Sequence, residues 1–331
     1  REMLPAPLGK LLSPQHGIWQ NAEAADQSFD EDLSLPGLKG NADVYFDERL
    51  VPHVFAEEEQ DAYYIQGFLH AKFRLWQMEF QTHAAAGRLS ELLGEGPGGR
   101  ILDYDRNMRR LGMGWAAEKS VAEVEKSPES KLQYESYADG VNAYIAQRTE
   151  GQLPIEYKLL GYYPERWNTL KTALFLKYMS YDLAGGESDL EFTNARNSFS
   201  KADFDKLFYI LADSLKPIVP NTPYSPYPLT SAMDISIPAM ADSAYFGYHT
   251  DSLTHVVANK PNPENGSNNW AVAGSKTKSG RPILCNDPHL GLNLPSLWYE
   301  MQITTPNFSA YGATFPGSPN VIIGFNENIS F

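Results

Sequence analysis

The sequence has almost none of the residues that build disulfide or metal-bound frameworks. Its one cysteine, Cys285, cannot form a disulfide within the chain, and its apolar neighbours Ile283 and Leu284 predict a small core residue on a buried strand. There is no HExxH motif, no paired-cysteine motif, no glycine-rich phosphate loop and no GxSxG nucleophile elbow. These absences argue against a catalytic zinc site, and we expect no organic cofactor.

Long apolar runs and an excess of positive charge are also missing. No segment is apolar and long enough to span a membrane, and the first residues do not form a signal-peptide pattern. The net charge of −14 repels phosphate backbones, so we expect no nucleic-acid partner. What the chain has instead is 19 Tyr, 16 Phe and 6 Trp in a 42% hydrophobic composition, which is typical of a folded globular protein.

Residues 1–216 are predicted to be mainly helical. Apolar residues recur at helical spacing from Asp61 to Phe80, with a stop predicted at Gly94. Because this helix is apolar on most of its faces, we expect it to be buried. Further helices are predicted at 131–147, 169–183 and 202–212, and two short strands at 44–46 and 51–55.

The composition changes after residue 216. Residues 217–266 are interpreted as a linker or spacer, because eight prolines lie among polar residues between 217 and 265. From 267 to 331, short apolar segments separated by turn residues predict a β region. Strands are expected at 270–273, 282–286, 297–304, 308–312, 321–325 and 328–331. Since the last one coincides with the end of the sequence, we expect the sheet to continue beyond it.

One junction carries residues suited to self-cleavage. Gly266 precedes Ser267 where the proline-rich segment meets the β region, and a glycine offers little steric bulk around its carbonyl. The Ser267 hydroxyl could attack that carbonyl to give an ester, which water would cleave to free an α-amine. Such an amine has an unperturbed pKa of about 7.7–8.0 and could serve as base for the hydroxyl of its own residue. Taken alone, however, Gly-Ser-Asn is first of all a turn sequence.

The sequence around this junction resembles the penicillin acylase family. In that family a Ser-Asn-Asn-Trp sequence opens the β-subunit once a spacer is removed, and residues 267–270 match it. Phe325 and Phe331 depart from the pattern, where histidine and tryptophan are usual. Other matching segments bring the resemblance to nearly all of residues 40–331: 53–56, 73–79, 87–89, 159–162, 279–290, 295–300, 316–319 and 324–329.

The resemblance implies an α+β fold, the αββα sandwich of N-terminal-nucleophile (Ntn) hydrolases, incomplete here and with a mainly helical N-terminal part. Residues 1–216 would be the α-subunit region, 217–266 the spacer and 267–331 the truncated start of the β-subunit. Ser267 becomes the nucleophile, freed by autoproteolysis after Gly266. Asn268 and Asn269 would fix the new terminus, although ordinary capping of a strand and turn explains them equally.

His289 has two interpretations. In the cephalosporin-acylase and lactone-acylase branches of the family, a histidine at this position lies beside the nucleophile's amine, whereas the penicillin G branch has glutamine. The resemblance therefore implies that His289 orients that amine or accepts its proton, which suits an imidazole. The alternative is a turn histidine after Pro288 that bonds to the backbone.

The resemblance also implies an acyl pocket and a calcium site. Leu290 and Ile323 fall where the family lines the pocket, and Met179 and Leu183 are helix residues that would face it; core packing is the alternative for all four. Asp189 falls near the family's calcium ligand, with Glu191 as its rival, so we expect no cofactor beyond a structural calcium. Together with Glu187, the pair could instead be the solvated start of a helix.

The expected function is cleavage of the amide bond of an N-acylated small molecule, in a bacterial protein that is periplasmic or secreted. Partners would be the acylated amine substrate and the remainder of the β-subunit. Because the family's oxyanion hole uses a backbone N–H past Phe331 and a later asparagine, residues 1–331 alone are expected to be inactive. The alternatives are a non-catalytic acylase-fold protein that binds acylated small molecules, and an aromatic-rich glycosidase or carbohydrate-binding module.

Overall fold

The computed structural model describes residues 8–23, 28–184, 189–208 and 266–331. The chain forms two compact units, Arg1–Gly185 with Pro261–Phe331, and Gly186–Lys260. Residues 217–265 of the predicted spacer, and the last part of the helix predicted at 202–212, lie outside the described residues. Helices and strands are both abundant, which confirms the α+β class.

The described helices are α1 Leu8–Leu11, α2 Glu59–Ala86, α3 Leu89–Leu93, α4 Arg100–Arg110, α5 Met113–Val124, α6 Pro128–Ala146, α7 Ile155–Leu160, α8 Thr169–Ala184, α9 Asp189–Ser198 and α10 Lys201–Leu207. The described strands are β1 Ala42–Phe46, β2 Pro52–Ala56, β3 Gly266–Val272, β4 Ile283–His289, β5 Tyr299–Thr304, β6 Ser309–Thr314 and β7 Val321–Asn326. No helix among the described residues is long and apolar enough to cross a membrane.

One five-stranded sheet joins the two ends of the first unit. Its order is β1-β2-β5-β6-β7, and β2 pairs in parallel with β5, for example His53 with Gln302, while the other pairs are antiparallel. The strand expected at 328–331 is not formed. Instead, Asn326 accepts hydrogen bonds from the backbone of Asn328 and Ile329, which turns the chain and leaves a single bridge to Phe325.

The central helix α2 is buried on nearly all its faces, as its apolar pattern predicts. It does not run on to Gly94, as the sequence suggested. It ends at Gly87, which adopts a left-handed backbone at φ 64° and donates its N–H to the carbonyls of His83 and Ala84. A separate helix, α3, then begins because both carboxylate oxygens of Asp105 accept backbone N–H groups at its start.

Helices α2 and α6 cross at two glycines. A Cβ added to Gly67 would lie 2.1 Å from the Tyr137 carbonyl oxygen, and one added to Gly140 would lie 1.8 Å from that of Tyr64. Both distances are far below van der Waals contact, so the two backbones approach closely only because these residues lack a side chain. The crossing closes the main core, to which α2, α6 and the sheet all contribute.

A hydrogen-bonded chain through His70 links α2 and α6 to the sheet. Thr314 donates to the Tyr299 carbonyl at 2.6 Å, so its oxygen is free to accept from His70 Nε2 at 2.9 Å. His70 Nδ1 then accepts from the Tyr137 hydroxyl at 2.8 Å, and that hydroxyl accepts the Gly317 N–H. His70 is fully buried, and this burial, with a smaller effect of the Arg74 charge, lowers its pKa to about 3.

Replacing Gly140 by alanine is expected to destabilise the full-length protein by about 1–3 kcal/mol or more, because the added methyl group forces the two helices apart. The matched control is Gly114→Ala in α5, where a Cβ meets nothing within 4 Å. That change should be neutral or slightly stabilising. Urea unfolding followed by fluorescence measures both, and equal midpoints for the two variants would contradict the crossing.

The low pKa of His70 predicts an acid-dependent loss of stability. Because the unfolded histidine binds a proton near pH 6.5 and the folded one only near pH 3, His70 stabilises the fold above pH 6.5. Its contribution should fall by about 1.4 kcal/mol per pH unit as the pH decreases below 6.5. His70→Gln should make the unfolding free energy less dependent on pH in this range, whereas the exposed-site control His16→Gln should leave the dependence unchanged.

Candidate active site

The Gly266–Ser267 junction lies on an exposed two-stranded ribbon. Strand β3 pairs antiparallel with β4 over its whole length, with Gly266 opposite His289 and Ser267 opposite Pro288. The expectation that Cys285 lies on a buried strand is wrong: Cys285 is half-buried, and its neighbours Ile283 and Leu284 are 49% and 38% exposed. The reason is that, among the described residues, the ribbon forms a sheet of its own with no third strand.

The Ser267 side chain folds back onto the peptide bond before it. Its Oγ donates a hydrogen bond to the Gly266 carbonyl oxygen at 2.6 Å. The hydroxyl therefore lies beside the carbonyl group that the sequence analysis expects it to attack. A Cβ placed on Gly266 meets nothing within 4 Å, so the junction is open to approach from the surroundings.

His289 is close to Ser267 along the ribbon, but its side chain points elsewhere. Residues directly paired across two antiparallel strands share a face, and successive residues alternate between faces. His289 therefore shares a face with Gly266, and Ser267 projects from the opposite one. The histidine bonds instead to Asp287, with 2.8 Å between Nε2 and Oδ2, and both side chains are about half exposed.

Asn268 and Asn269 continue the same strand. They are paired with Asp287 and Asn286, respectively, and both are exposed. Asn286 donates its amide to the Phe331 carbonyl at 3.1 Å, which connects the ribbon to residues near the last strand of the main sheet. Asn269 shares a face with Ser267, and Asn268 shares a face with Gly266 and His289.

An apolar cluster, here called the Phe315 cluster, adjoins the end of the ribbon. Its buried members are Phe175, Met179 and Phe315, and Leu290, the residue after His289, packs against them. The Phe315 ring stacks on Trp298, with 4.4 Å between the ring centroids. The remaining partly buried members are Leu176, Tyr178, Leu297 and Ile322.

Two of the four pocket residues expected from sequence meet in the Phe315 cluster. Met179 and Leu290 are both members. Ile323 is half-buried and lies outside the cluster, where its neighbour Ile322 takes part, because successive strand residues face opposite sides of the sheet. Leu183 is 53% exposed near the end of α8 and is not a member either.

The two expected calcium ligands lie at the start of one helix. Asp189 is the first residue of α9 and Glu191 the third; the side chain of Asp189, like the whole of Glu187, lies outside the described part of the structure. Residues two positions apart on a helix do not face each other. The two positions therefore lie on different faces of the helix start.

A second polar cluster, here called the Glu79 cluster, is buried between α2, α8 and the segment before α8. Lys171 Nζ lies 2.6 Å from Glu79 Oε1 and 3.0 Å from Glu165 Oε2. Arg88 binds the other side of Glu165, and although burial opposes ionisation, hydrogen bonds from Arg88 and Lys171 lower the pKa of Glu165 to about 2. His83, which donates from Nδ1 to the Glu79 carbonyl, is held neutral because burial lowers its pKa.

The Glu79 cluster has side-chain atoms of the kinds that bind metals, but its carboxylate charges are already paired with a lysine. Single atoms of Glu79, His83 and Glu165 lie within 4.8 Å of one another. However, the Lys171 ammonium already contacts both carboxylates, so a divalent ion there would have to displace it. The residues therefore fit an ammonium group better than a metal.

Sequence reasoning missed the Glu79 cluster. The signal was present, since Glu79 and His83 are ionisable residues within the helix predicted to be buried, and Lys171 lies in another predicted helix that is largely apolar. Charged residues are almost never fully buried unless they are paired. Which residues pair with which could not be foreseen, because the partners are separated by up to 92 positions in the chain.

Two named proteins are similar to this chain in sequence. It is 32% identical over 308 residues to the acyl-homoserine lactone acylase QuiP of Pseudomonas aeruginosa, covering 90% of this chain and 33% of that protein. It is also 32% identical over 289 residues to the penicillin acylase 2 proenzyme of Pseudomonas sp. strain SE83, covering 87% and 35%. The chain thus spans about a third of the length of these relatives.

A solved structure and a family model also match. The structure is the thermostable penicillin G acylase from Alcaligenes faecalis, at 26% sequence identity and a TM-score of 0.48, over 55% of this chain and 98% of that one. The family model is that of penicillin amidase, and it matches residues 41–331. Since that match covers most of the sequence, the chain belongs to the penicillin amidase family.

Proposed function

We propose that the full-length protein is an amidohydrolase that removes the acyl group from an N-acylated small molecule, with Ser267 as its N-terminal nucleophile. One observation carries the proposal: in a chain of the penicillin amidase family, the Ser267 hydroxyl lies 2.6 Å from the carbonyl oxygen of Gly266. Acyl-homoserine lactones and penicillins, named in the relatives, are the first substrates to test, and N-acyl amino acids are the third class.

Maturation would begin at the bond between Gly266 and Ser267. The Ser267 oxygen attacks the Gly266 carbonyl carbon while its proton passes to the departing backbone nitrogen, so the amide becomes an ester. Water then attacks the ester, which leaves a carboxylate on Gly266 and restores the hydroxyl beside a free α-amine.

Catalysis would use the two groups that maturation frees on one residue. The α-amine takes the proton of the Ser267 hydroxyl, and the oxygen attacks the acyl carbon of the substrate. The amine product leaves with that proton, and water hydrolyses the resulting ester to release the acid. Loss of the peptide bond before Ser267 lets its backbone rotate, which would bring the new amine towards the ribbon face that carries His289.

The Phe315 cluster is the proposed site for the acyl group. It adjoins β4 at Leu290, one residue beyond His289, so an apolar group bound there would lie near the nucleophile. Burial of an acyl chain is favoured by about 0.8 kcal/mol per methylene. On this proposal Ile322 replaces Ile323 as the lining residue from β7, and Met179 and Leu290 retain their expected role.

Other features of the proposal rest on family membership. The described sheet and helices would belong to an αββα Ntn sandwich that the remainder of the β-subunit completes, and one carboxylate of Asp189 or Glu191 would contribute to a structural calcium site. We infer a periplasmic or secreted bacterial zymogen. A role in antibiotic metabolism would follow only if penicillins prove to be substrates.

Ser267→Ala is expected to abolish cleavage of the full-length protein between residues 266 and 267, because alanine has no nucleophilic oxygen. Ser275→Ala is the matched control, since Ser275 also follows a glycine and lies C-terminal to the Gly266–Ser267 bond. It should leave the cut unchanged. Intact-mass spectrometry measures cleavage in both variants. A wild-type protein that hydrolyses amides without being cut would contradict the mechanism. An uncut, inactive protein that binds acylated amines would favour the non-catalytic alternative.

His289→Ala is expected to lower kcat about 100-fold in the processed enzyme, because the α-amine loses a group that orients it or shares its proton. Asp287→Asn should have a smaller effect of the same kind, since Asp287 only orients the imidazole. Single-turnover hydrolysis of one amide substrate separates this effect from product release. An unchanged rate in His289→Ala would leave His289 without a catalytic role, as a strand residue bonded to Asp287.

A further inference from the structure

The Glu79 cluster and the Phe315 cluster are connected through one ridge of α8. Lys171, Phe175 and Met179 are spaced four residues apart, so they follow one another along a single face of the helix. Lys171 forms the buried ion pair with Glu79 at 2.6 Å, and Phe175 and Met179 are buried members of the Phe315 cluster. The same helix face therefore has a charged contact at one end and apolar contacts at the other.

The apolar end of this ridge has little to fix its position along the helix axis. Contacts among Phe175, Met179 and Phe315 are non-directional, so by themselves they do not specify one position of α8 along its axis. The Glu79–Lys171 pair is directional and buried, with Glu79 fully inaccessible and Lys171 7% exposed. Trp167 adds a second directional bond by donating to Thr172 at 3.0 Å.

The apolar end is nevertheless sensitive to position. A Cβ on Gly317 would lie 2.8 Å from the Phe175 ring, so the ring already presses against the turn that follows β6. A slide of one residue along α8 would displace Phe175 and Met179 by about 1.5 Å. Such a shift changes the depth of the cluster by about the length of one methylene group.

We propose that Glu79 and Lys171 are positioning residues that set the depth of the acyl-binding cluster by fixing α8, and thereby determine which acyl chain lengths the enzyme prefers. The inference rests on the proposed function, because it assigns the acyl group to the Phe315 cluster. Neither residue touches the substrate. Glu165 and Arg88 support the pair, since Glu165 binds Lys171 and is itself held by Arg88.

The test compares single and double variants of the processed full-length enzyme. Lys171→Met leaves the fully buried Glu79 charge without its ion-pair partner, and Glu79→Gln leaves Lys171 with Glu165 alone, so both should lower the melting temperature. The double variant Glu79→Gln with Lys171→Met removes both charges. It should regain much of the melting temperature lost in the single variants, since Glu165 keeps Arg88 as its partner. Its preference between long and short acyl chains, as a ratio of kcat/KM values, should nonetheless change about tenfold, with KM changing more than kcat.

A matched control separates positioning from stability. Lys158 is also a buried lysine. Its ammonium donates to the carbonyls of Gly17 and Gly151 and to the side chain of Asn21, and none of these three partners lies on α8. Lys158→Met should lower the melting temperature while leaving the chain-length preference as in the wild type. If the melting temperature of the double variant is too low for assays, Glu79→Asp is the alternative. It keeps the carboxylate charge, shortens the side chain by one methylene and should change the chain-length preference by a smaller factor.

Hydrogen exchange of residues 172–179 gives a readout that does not depend on activity. The double variant should exchange faster than the wild type in this segment. A double variant with wild-type exchange and a wild-type chain-length preference would overturn the positioning role. A wild-type enzyme that hydrolyses none of the acyl substrates would instead contradict the proposed function, and exchange that is unchanged in the double variant would then overturn the positioning role independently.

Discussion

The burial of α2 is the constraint on which the rest of the first unit depends. A buried polar group costs free energy unless it is hydrogen-bonded, so a helix enclosed on nearly all its faces favours partners for its polar residues inside the protein. Gln66 is paired with the backbone of Asn320, His70 lies between a tyrosine and a threonine, and Glu79 holds Lys171. Each of these contacts reaches a different element, so the same polar groups that make the burial of α2 expensive also fix where its neighbours pack.

The proposed catalytic residue occupies the opposite kind of environment. Ser267 is on an exposed ribbon whose side chains have few contacts with the main core, while the apolar cluster beside it is well buried. The proposed maturation would require water to reach the peptide bond before Ser267. Substrate binding, in contrast, needs apolar surface that is shielded from water. The two environments are two residues apart along the chain, since Pro288 pairs with Ser267 and Leu290 packs against the cluster.

Periodicity and turn chemistry in the sequence were sufficient to identify α2 and the strands β1, β2 and β5 to β7, while the α+β class was implied by the family resemblance. They failed where a single backbone conformation or a tertiary contact decides the outcome: the left-handed Gly87 that ends α2, the turn at Asn326 after which only an isolated bridge forms, and the exposure of Cys285. Among the predicted site residues, Met179 and Leu290 come together in one cluster, and whether Ile322 or Ile323 joins them depends on strand register. The pairing of Glu79 with Lys171 depends on how two helices pack, which no local pattern encodes.

The parallel pairing of β2 with β5 has a consequence for how the molecule is assembled. His53 and Gln302 are neighbours in one ladder although 249 positions separate them, and the Gly266–Ser267 bond lies between them in the chain. Cutting that bond would turn an intramolecular ladder into one shared by two polypeptides. While the chain is intact, its connectivity keeps the two segments at a high effective concentration, and their meeting is a first-order event. After the cut, separation of the fragments would require this ladder to open. The uncut chain therefore forms a pairing that separated fragments could form again only by diffusing together.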